Sequence, residues 1–231
     1  TTFEEAAPLA GWIDVAVSTG AMPPFGAHDT ETCQPRLPWL DDLRLSEDEI
    51  ATIGAWAASG APEGDPLNAT DPGEPTSFDL PQVDLEVGPA APIVVPPGKD
   101  QFICVSMDLE LAEDAYMRGL RVVPGNAALV HHVLLYTDPK GKSVGLAGED
   151  GTYPCFGSAK LGNTELIGGF VPGAQPLILP DGVATRLAAG SRLVMQLHLS
   201  PQDATEPTSD LTRVQMMLAD EAPEHQSVTV L

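Results

Sequence analysis

Two stretches, Val130-His131-His132-Val133-Leu134-Leu135-Tyr136 and Leu193-Val194-Met195-Gln196-Leu197-His198-Leu199, decide how this chain is read. Both are short apolar runs carrying β-branched residues and bounded by Gly, Pro and Asp turns, the pattern of a strand. Further runs of this kind lie at 102–109, 116–123, 184–187 and 211–218. Six or more short strands at such spacing predict a mainly β fold, an antiparallel β-sandwich of jelly-roll type. The Gly-rich stretch 144–178 reads as a long loop excursion from it. Met216-Met217 falls in the last strand and reads as core.

Composition agrees. The 231 residues include 22 Gly and 23 Pro, punctuation that argues against a helical bundle. With 43% hydrophobic residues, a core is affordable and disorder is not expected. Acids outnumber bases 33 to 11, for a net charge of −22. Nucleic acid needs a basic footprint, and no Lys/Arg cluster supplies one. No apolar run approaches the roughly 18 residues of a membrane span.

Ahead of the strands the periodicity is helical. Residues 8–20 carry Leu9, Trp12, Ile13 and Val17 as a stripe, closed by Gly20 and Met22-Pro23-Pro24. Ser46 with Glu49 is a capping box for a second helix bearing Ile50, Ile53 and Trp56, stopped by Gly60 and Pro62. Residues 1–98 hold 17 acids and 2 bases, and 99–231 hold 16 and 9. These shifts divide the chain into a helical segment 1–66, a Pro-rich linker 67–98 running into a first strand, and a β-domain 99–231.

Chemistry points to the histidines. Neighbours in a strand face opposite ways. The pair His131-His132 therefore reads either as one core and one surface histidine, or as two ligands brought together by a local twist of the backbone or by one ring reaching round through its nearer nitrogen. His198, in a second strand, is the natural third member. Three neutral imidazoles suit copper or zinc. His28, beside Asp29, reads as a solvated turn residue. Glu149, Asp150 and Glu165 are the acids a hydrolytic zinc enzyme would draw on, although nothing in the sequence aligns them with the histidines.

The order of Phe102-Ile103-Cys104-Val105-Ser106-Met107, Val130-His131-His132-Val133-Leu134-Leu135, Leu179-Pro180-Asp181-Gly182-Val183 and Leu193-Val194-Met195-Gln196-Leu197-His198 resembles the first copper domain of the copper type II, ascorbate-dependent monooxygenases, the peptidylglycine α-hydroxylating and dopamine β-monooxygenase family. The resemblance implies that His131, His132 and His198 are ligands of the electron-donating copper, one per chain. It also implies a disulfide between Cys104 and Cys155, which suits an exported, periplasmic or extracellular protein of bacterial type. Gln196, two residues before His198, is a candidate partner for the site or a buried amide.

The helical segment resembles the second half of a bacterial c-type cytochrome in Met22-Pro23-Pro24, Leu45-Ser46-Glu47-Asp48-Glu49-Ile50, Trp56 and 60–66. There Met22 would be an axial haem ligand. The chain contains no Cys-x-x-Cys-His, so haem c is expected only if such a segment exists upstream. Cys33 has no evident partner. The second copper set of the family, a His-x-His pair and a Met, is missing too, since only His225 follows His198.

Two functions follow from these readings. One is the electron-transfer half of a copper monooxygenase-like protein, fed by an ascorbate-like reductant or a cytochrome and facing a second copper domain or another protein. The other is a structural or assembly subunit that keeps the sandwich without the chemistry.

Overall fold

A computed structural model of the chain describes residues 2–23, 25, 30–32, 34, 36, 42–68, 78–162, 164–201 and 204–229. His28 and Cys33 lie outside the described residues. Two compact units emerge, Thr1–Pro75 and Thr76–Leu231.

The first unit is helical. It consists of α1 (Phe3–Ala6), a 3-10 turn (Ala7–Leu9), α2 (Ala10–Ser18) and α3 (Glu47–Ala58), and α2 packs on α3. The capping box forms as the sequence indicates. Ser46 Oγ accepts from the Glu49 amide at 3.3 Å, and the Glu49 carboxylate accepts from the Ser46 amide at 2.8 Å. Beyond the helix end, Trp56 Nε1 donates to the Pro62 carbonyl at 3.0 Å.

The stripe on the first helix is shifted from its expected phase. Ala10 and Val17 are buried and Ile13 partly so, while Leu9 and Trp12 are exposed. The 3-10 turn supplies the reason for Leu9: at three residues per turn it leaves the 3.6 register that α2 then begins. Residues 10, 13 and 17 share one face of α2, and Trp12 lies off it.

The second unit is a β-sandwich. Its strands in chain order are β1 (Leu85–Val87), β2 (Ile93–Val95), β3 (Gln101–Asp108), β4 (Ala115–Val123), β5 (Val130–Asp138), β6 (Thr152–Pro154), β7 (Leu166–Phe170), β8 (Leu177–Ile178), β9 (Val183–Leu187), β10 (Arg192–Leu199), β11 (Thr208–Asp210), β12 (Arg213–Leu218) and β13 (His225–Gln226). One sheet runs β6-β3-β10-β5-β7, antiparallel throughout. The other runs β1-β12-β4-β9-β13, with β8 also on β4; β13 pairs parallel with β9. A two-stranded ribbon, β11-β2, completes the unit.

Each of the six sequence-legible strands is present within a residue or two of its expected ends. The stretch 144–178, expected as a loop, instead contributes β6 and β7 as the edges of the first sheet, and β8. These strands are two to five residues long and β7 carries Gly168-Gly169, too short and glycine-rich to show an alternation. Segment 67–98 likewise carries β1 and β2.

Between the sheets lies the main core. β10 contributes Leu193, Met195, Leu197 and Leu199, β5 Val133 and Leu135, and β3 Val105 and Met107. From the facing sheet come Met117, Leu120, Leu187, Val214 and Met216. Met217 is buried as well.

The outer face of β10 should face water in a simple sandwich, yet Val194 and Gln196 are buried. The chain after β5 folds over it. Tyr153, Cys155, Ala159 and Leu161 make a second small core with Cys104, Tyr136 and Val194. A Cys104–Cys155 disulfide staples this cover to β3, and Tyr153 donates its hydroxyl to the Ala159 carbonyl at 2.8 Å. Burial, with the charge of Asp138 nearby, pushes the Tyr153 phenol up to about 12.

At its start the cover is held by Asp138, whose buried carboxylate accepts from the amides of Lys142 (3.0 Å) and Ser143 (2.7 Å). Ser143 Oγ in turn lies 2.6 Å from Ser106 Oγ on β3, and Arg192 Nε donates to Ser106 Oγ at 2.8 Å. Burial alone would raise the Asp138 pKa. The amide and hydroxyl of Ser143 and the amides of Lys142 and Lys140 together outweigh it and hold the carboxyl below its ordinary value.

Two outcomes follow. Replacing both Cys104 and Cys155 with Ser opens a 51-residue link and is expected to cost about 2–5 kcal/mol, read as a lower denaturant midpoint that matches wild type under reducing conditions. Asp138→Asn is expected to cost about 1–3 kcal/mol at neutral pH by weakening bonds to buried amides. Because the folded pKa is depressed, the carboxylate's contribution is full above the unfolded value of about 3.9 and is lost as pH falls through the folded value. The gap between variant and wild type should therefore narrow below about pH 4, and urea midpoints at pH 7, 5 and 3 will show it.

Candidate metal centre

His198 stands near the end of β10, directly opposite His132 on β5 and Phe102 on β3. By alternation His198 and His132 share the outer face, with Gln196 and Leu134 below them. His131 ought then to point inward with Val133 and Leu135. It does not, because the ladder slips at this point: His198 pairs with His132, but the next residue, Leu199, pairs with Val130. His131 is the extra residue of a β-bulge, unpaired in the ladder and free to turn to the solvent side. Val130, just before it, is back in the core at 2% exposure.

The bulge is fixed on its far side. The Ser200 amide donates to the Leu129 carbonyl at 2.8 Å, and the amides of Leu129 and Val130 both donate to the Asn126 carbonyl at 3.0 Å. Asn126 is anchored in turn, its amide donating to buried Asp210 at 3.0 Å and its side chain to Thr208 Oγ1 at 3.1 Å. Gly125 allows this turn to close: a Cβ there would sit 2.5 Å from the Leu211 nitrogen and 2.7 Å from its carbonyl carbon.

The three rings converge through Nδ1. His131 Nδ1 lies 3.2 Å from His132 Nδ1, and His198 Nδ1 lies 3.3 Å from it. One ligand atom from each histidine falls within 4.8 Å of the others, a group that could hold a metal ion. Two nitrogens about 2.0–2.1 Å from a single ion at a tetrahedral angle would be about 3.3 Å apart. The His131–His132 and His132–His198 separations are thus those of donors on one small transition-metal ion.

The rings differ in setting. His131 is exposed, His132 half-buried and His198 buried at 9% exposure. Burial, with the neighbouring His198 and His131 adding to it, pushes the His132 pKa below its ordinary value and favours the neutral, lone-pair-bearing imidazole. His198 is gripped on two sides. Its ring stacks on Phe102 at 4.2 Å between centroids and 13° between planes, and Phe102 meets exposed Phe156 edge-on at 4.7 Å. Its Nε2 lies 2.8 Å from Asp100 Oδ2, while Ser200 Oγ donates to Asp100 Oδ1 at 2.8 Å. The His198 contact, followed by the Ser200 hydroxyl, holds the Asp100 carboxyl below its ordinary range.

Sequence-named residues outside this group take other places. Gln196 is the buried amide of the two readings: its Nε2 faces Cys155 Sγ at 3.6 Å, not a histidine. Asp150 is engaged with Thr152, and the Glu165 carboxylate accepts from the Thr229 amide. Neither joins the histidines, and the three-histidine group is the one metal-capable cluster among the described residues. His225 is exposed in β13. Met22 is exposed in the helical unit, after α2. Asp100 was not singled out from sequence. Ninety-eight residues separate it from His198, and only the β3–β10 register brings them together.

No family model matches the chain, and no curated protein matches it either. Fold and site define a β-sandwich protein with a three-histidine group able to hold a metal ion. No helix among the described residues is long and apolar enough to cross a membrane.

The turn ahead of the bulge makes a clean stability test. Gly125→Ala forces a Cβ into the Leu211 backbone and should cost about 1–3 kcal/mol. Gly145→Ala, where a Cβ would meet nothing within 4 Å, should stay within about 0.5 kcal/mol of wild type. Parallel thermal melts compare the two.

Proposed function

We propose that this chain is a copper-binding, electron-transfer protein related to the first copper domain of the copper type II, ascorbate-dependent monooxygenases. The observation that carries the reading is the convergence of three Nδ1 atoms, two of the separations being 3.2 and 3.3 Å, on the outer face of one sheet. The donor chemistry fits: a set of imidazoles alone suits copper in either common oxidation state. When bound, copper would supply a one-electron couple at this face.

The chain's own residues would do the rest. The bulge at His131 turns a second adjacent imidazole to the site. Burial keeps His132 neutral and ready to ligate. Exposure of His131 leaves the centre accessible to an electron donor, an ascorbate-like reductant or a cytochrome, and to an acceptor in a second copper domain or partner protein. The disulfide, which persists in oxidising compartments, supports export to the periplasm or beyond. Haem fits less well. The described helical unit offers Met22, but the sequence holds no Cys-x-x-Cys-His to attach a haem.

Elemental mass spectrometry on protein purified without chelators should find about one copper per chain. His131→Ala, His132→Ala and His198→Ala should each lower copper affinity by tenfold or more. Wild-type protein that takes up neither Cu(I) nor Cu(II) would overturn the reading in favour of a structural subunit; uptake of zinc alone would keep the site and change its metal.

A further inference from the structure

We infer that Asp100 is a positioning residue of the three-histidine centre, selecting the His198 tautomer that presents Nδ1 to a metal ion; this rests on the copper reading above. An ionised carboxylate can only accept hydrogen bonds. With Asp100 Oδ2 at 2.8 Å, the proton of neutral His198 is therefore held on Nε2, and the lone pair is left on Nδ1. That atom faces His132 Nδ1 at 3.3 Å. Were the proton on Nδ1 instead, His198 would turn an N–H toward the convergence point and could not ligate there.

The arrangement follows from strand register. Phe102 pairs with His198 and Gln101 with Leu199, so the next rung sets Asp100 beside Ser200. Period-two alternation puts Asp100 and Phe102 on the face that carries His198 and Ser200. Three contacts then act on one ring or its support. Asp100 holds the ring edge, Phe102 covers its face at 4.2 Å, and Ser200 Oγ holds the other carboxylate oxygen at 2.8 Å. His131 and His132 have no carboxylate hydrogen bond of this kind among the described contacts, so His198 is the ring whose orientation is fixed before metal arrives. The negative charge one imidazole away also favours the more highly charged ion.

The test uses the full chain with Asp100→Ala, Asp100→Asn and Ser200→Ala. Long-range proton–nitrogen NMR on metal-free, histidine-labelled protein reads the tautomer directly, and competition titration with Cu(II) reads affinity. Wild type should show His198 protonated on Nε2. Asp100→Ala should relax His198 from a single tautomer toward the mixture of a free imidazole and bind Cu(II) about 10- to 100-fold more weakly. Asp100→Asn retains an acceptor oxygen, so it should recover the tautomer and part of the affinity, while raising the reduction potential through loss of the charge. Ser200→Ala should fall between wild type and Asp100→Ala.

An unchanged tautomer in Asp100→Ala, or Cu(II) affinity within twofold of wild type, would overturn the inference while leaving the copper reading in place. Failure of wild type to bind copper would remove both. Circular dichroism on each variant separates a positioning effect from loss of the fold.

Discussion

A regular β-strand cannot offer two adjacent side chains to one point on one face, and the whole centre depends on breaking that rule once. The break is a single unpaired residue. At His131 the β5–β10 ladder slips, so that His198 faces His132 while Leu199 faces Val130. One extra residue in one strand leaves Val130 in the core, keeps Val133 and Leu135 there, and turns His131 outward. Without the slip, an imidazole would be driven among Leu and Met side chains, where a polar group without partners costs several kcal/mol. The bulge thus removes a burial penalty and creates a site by the same displacement.

The second requirement is a dry wall around the innermost ligand. A two-layer sandwich exposes its outer faces, which would leave His198 as wet as His131. Phe102 changes this at the ring itself by stacking on it, and deeper along β10 the chain between β5 and β7 lies across Val194 and builds a small core of its own. Three ties hold it: the disulfide to β3, the Asp138 carboxylate on two amides, and, through the same Ser143, the Ser143–Ser106–Arg192 chain of hydrogen bonds. Because β10 is buried on both faces, residues 193–199 are apolar except for Gln196 and His198. Those two polar residues are tolerated because each meets a partner.

Much of this was legible in the sequence. The six longer strands, the sandwich, the capping box at Ser46 and the candidate ligands all announce themselves through periodicity or residue type. The shorter strands did not, since β6, β7 and β8 have five residues or fewer and edge strands need no alternating pattern. The stripe departs from its expected phase at Leu9 because a 3-10 turn, invisible to a 3.6-residue template, precedes α2, and at Trp12 because the buried face of α2 runs through Ala10, Ile13 and Val17. The histidine pair poses a question that sequence can frame but not answer: a backbone twist or a ring reaching round would each serve, and only the pairing shows that His131 is an extra residue.

Asp100 marks the deeper limit, and also the way past it. Nothing local distinguishes it from the other acids of a chain with 33 of them. Its role is a property of register, because a residue two positions before Phe102 becomes the neighbour of one two positions beyond His198 once those two strands pair. Register itself is fixed by the hydrophobic sets of β3, β5 and β10, since a one-residue slip would turn Val105, Val133 and Leu197 to the outside. The apolar residues that never approach the histidines therefore determine which carboxylate does. Packing of the core and orientation of the innermost imidazole are in this fold one constraint expressed at two ends of the same strands.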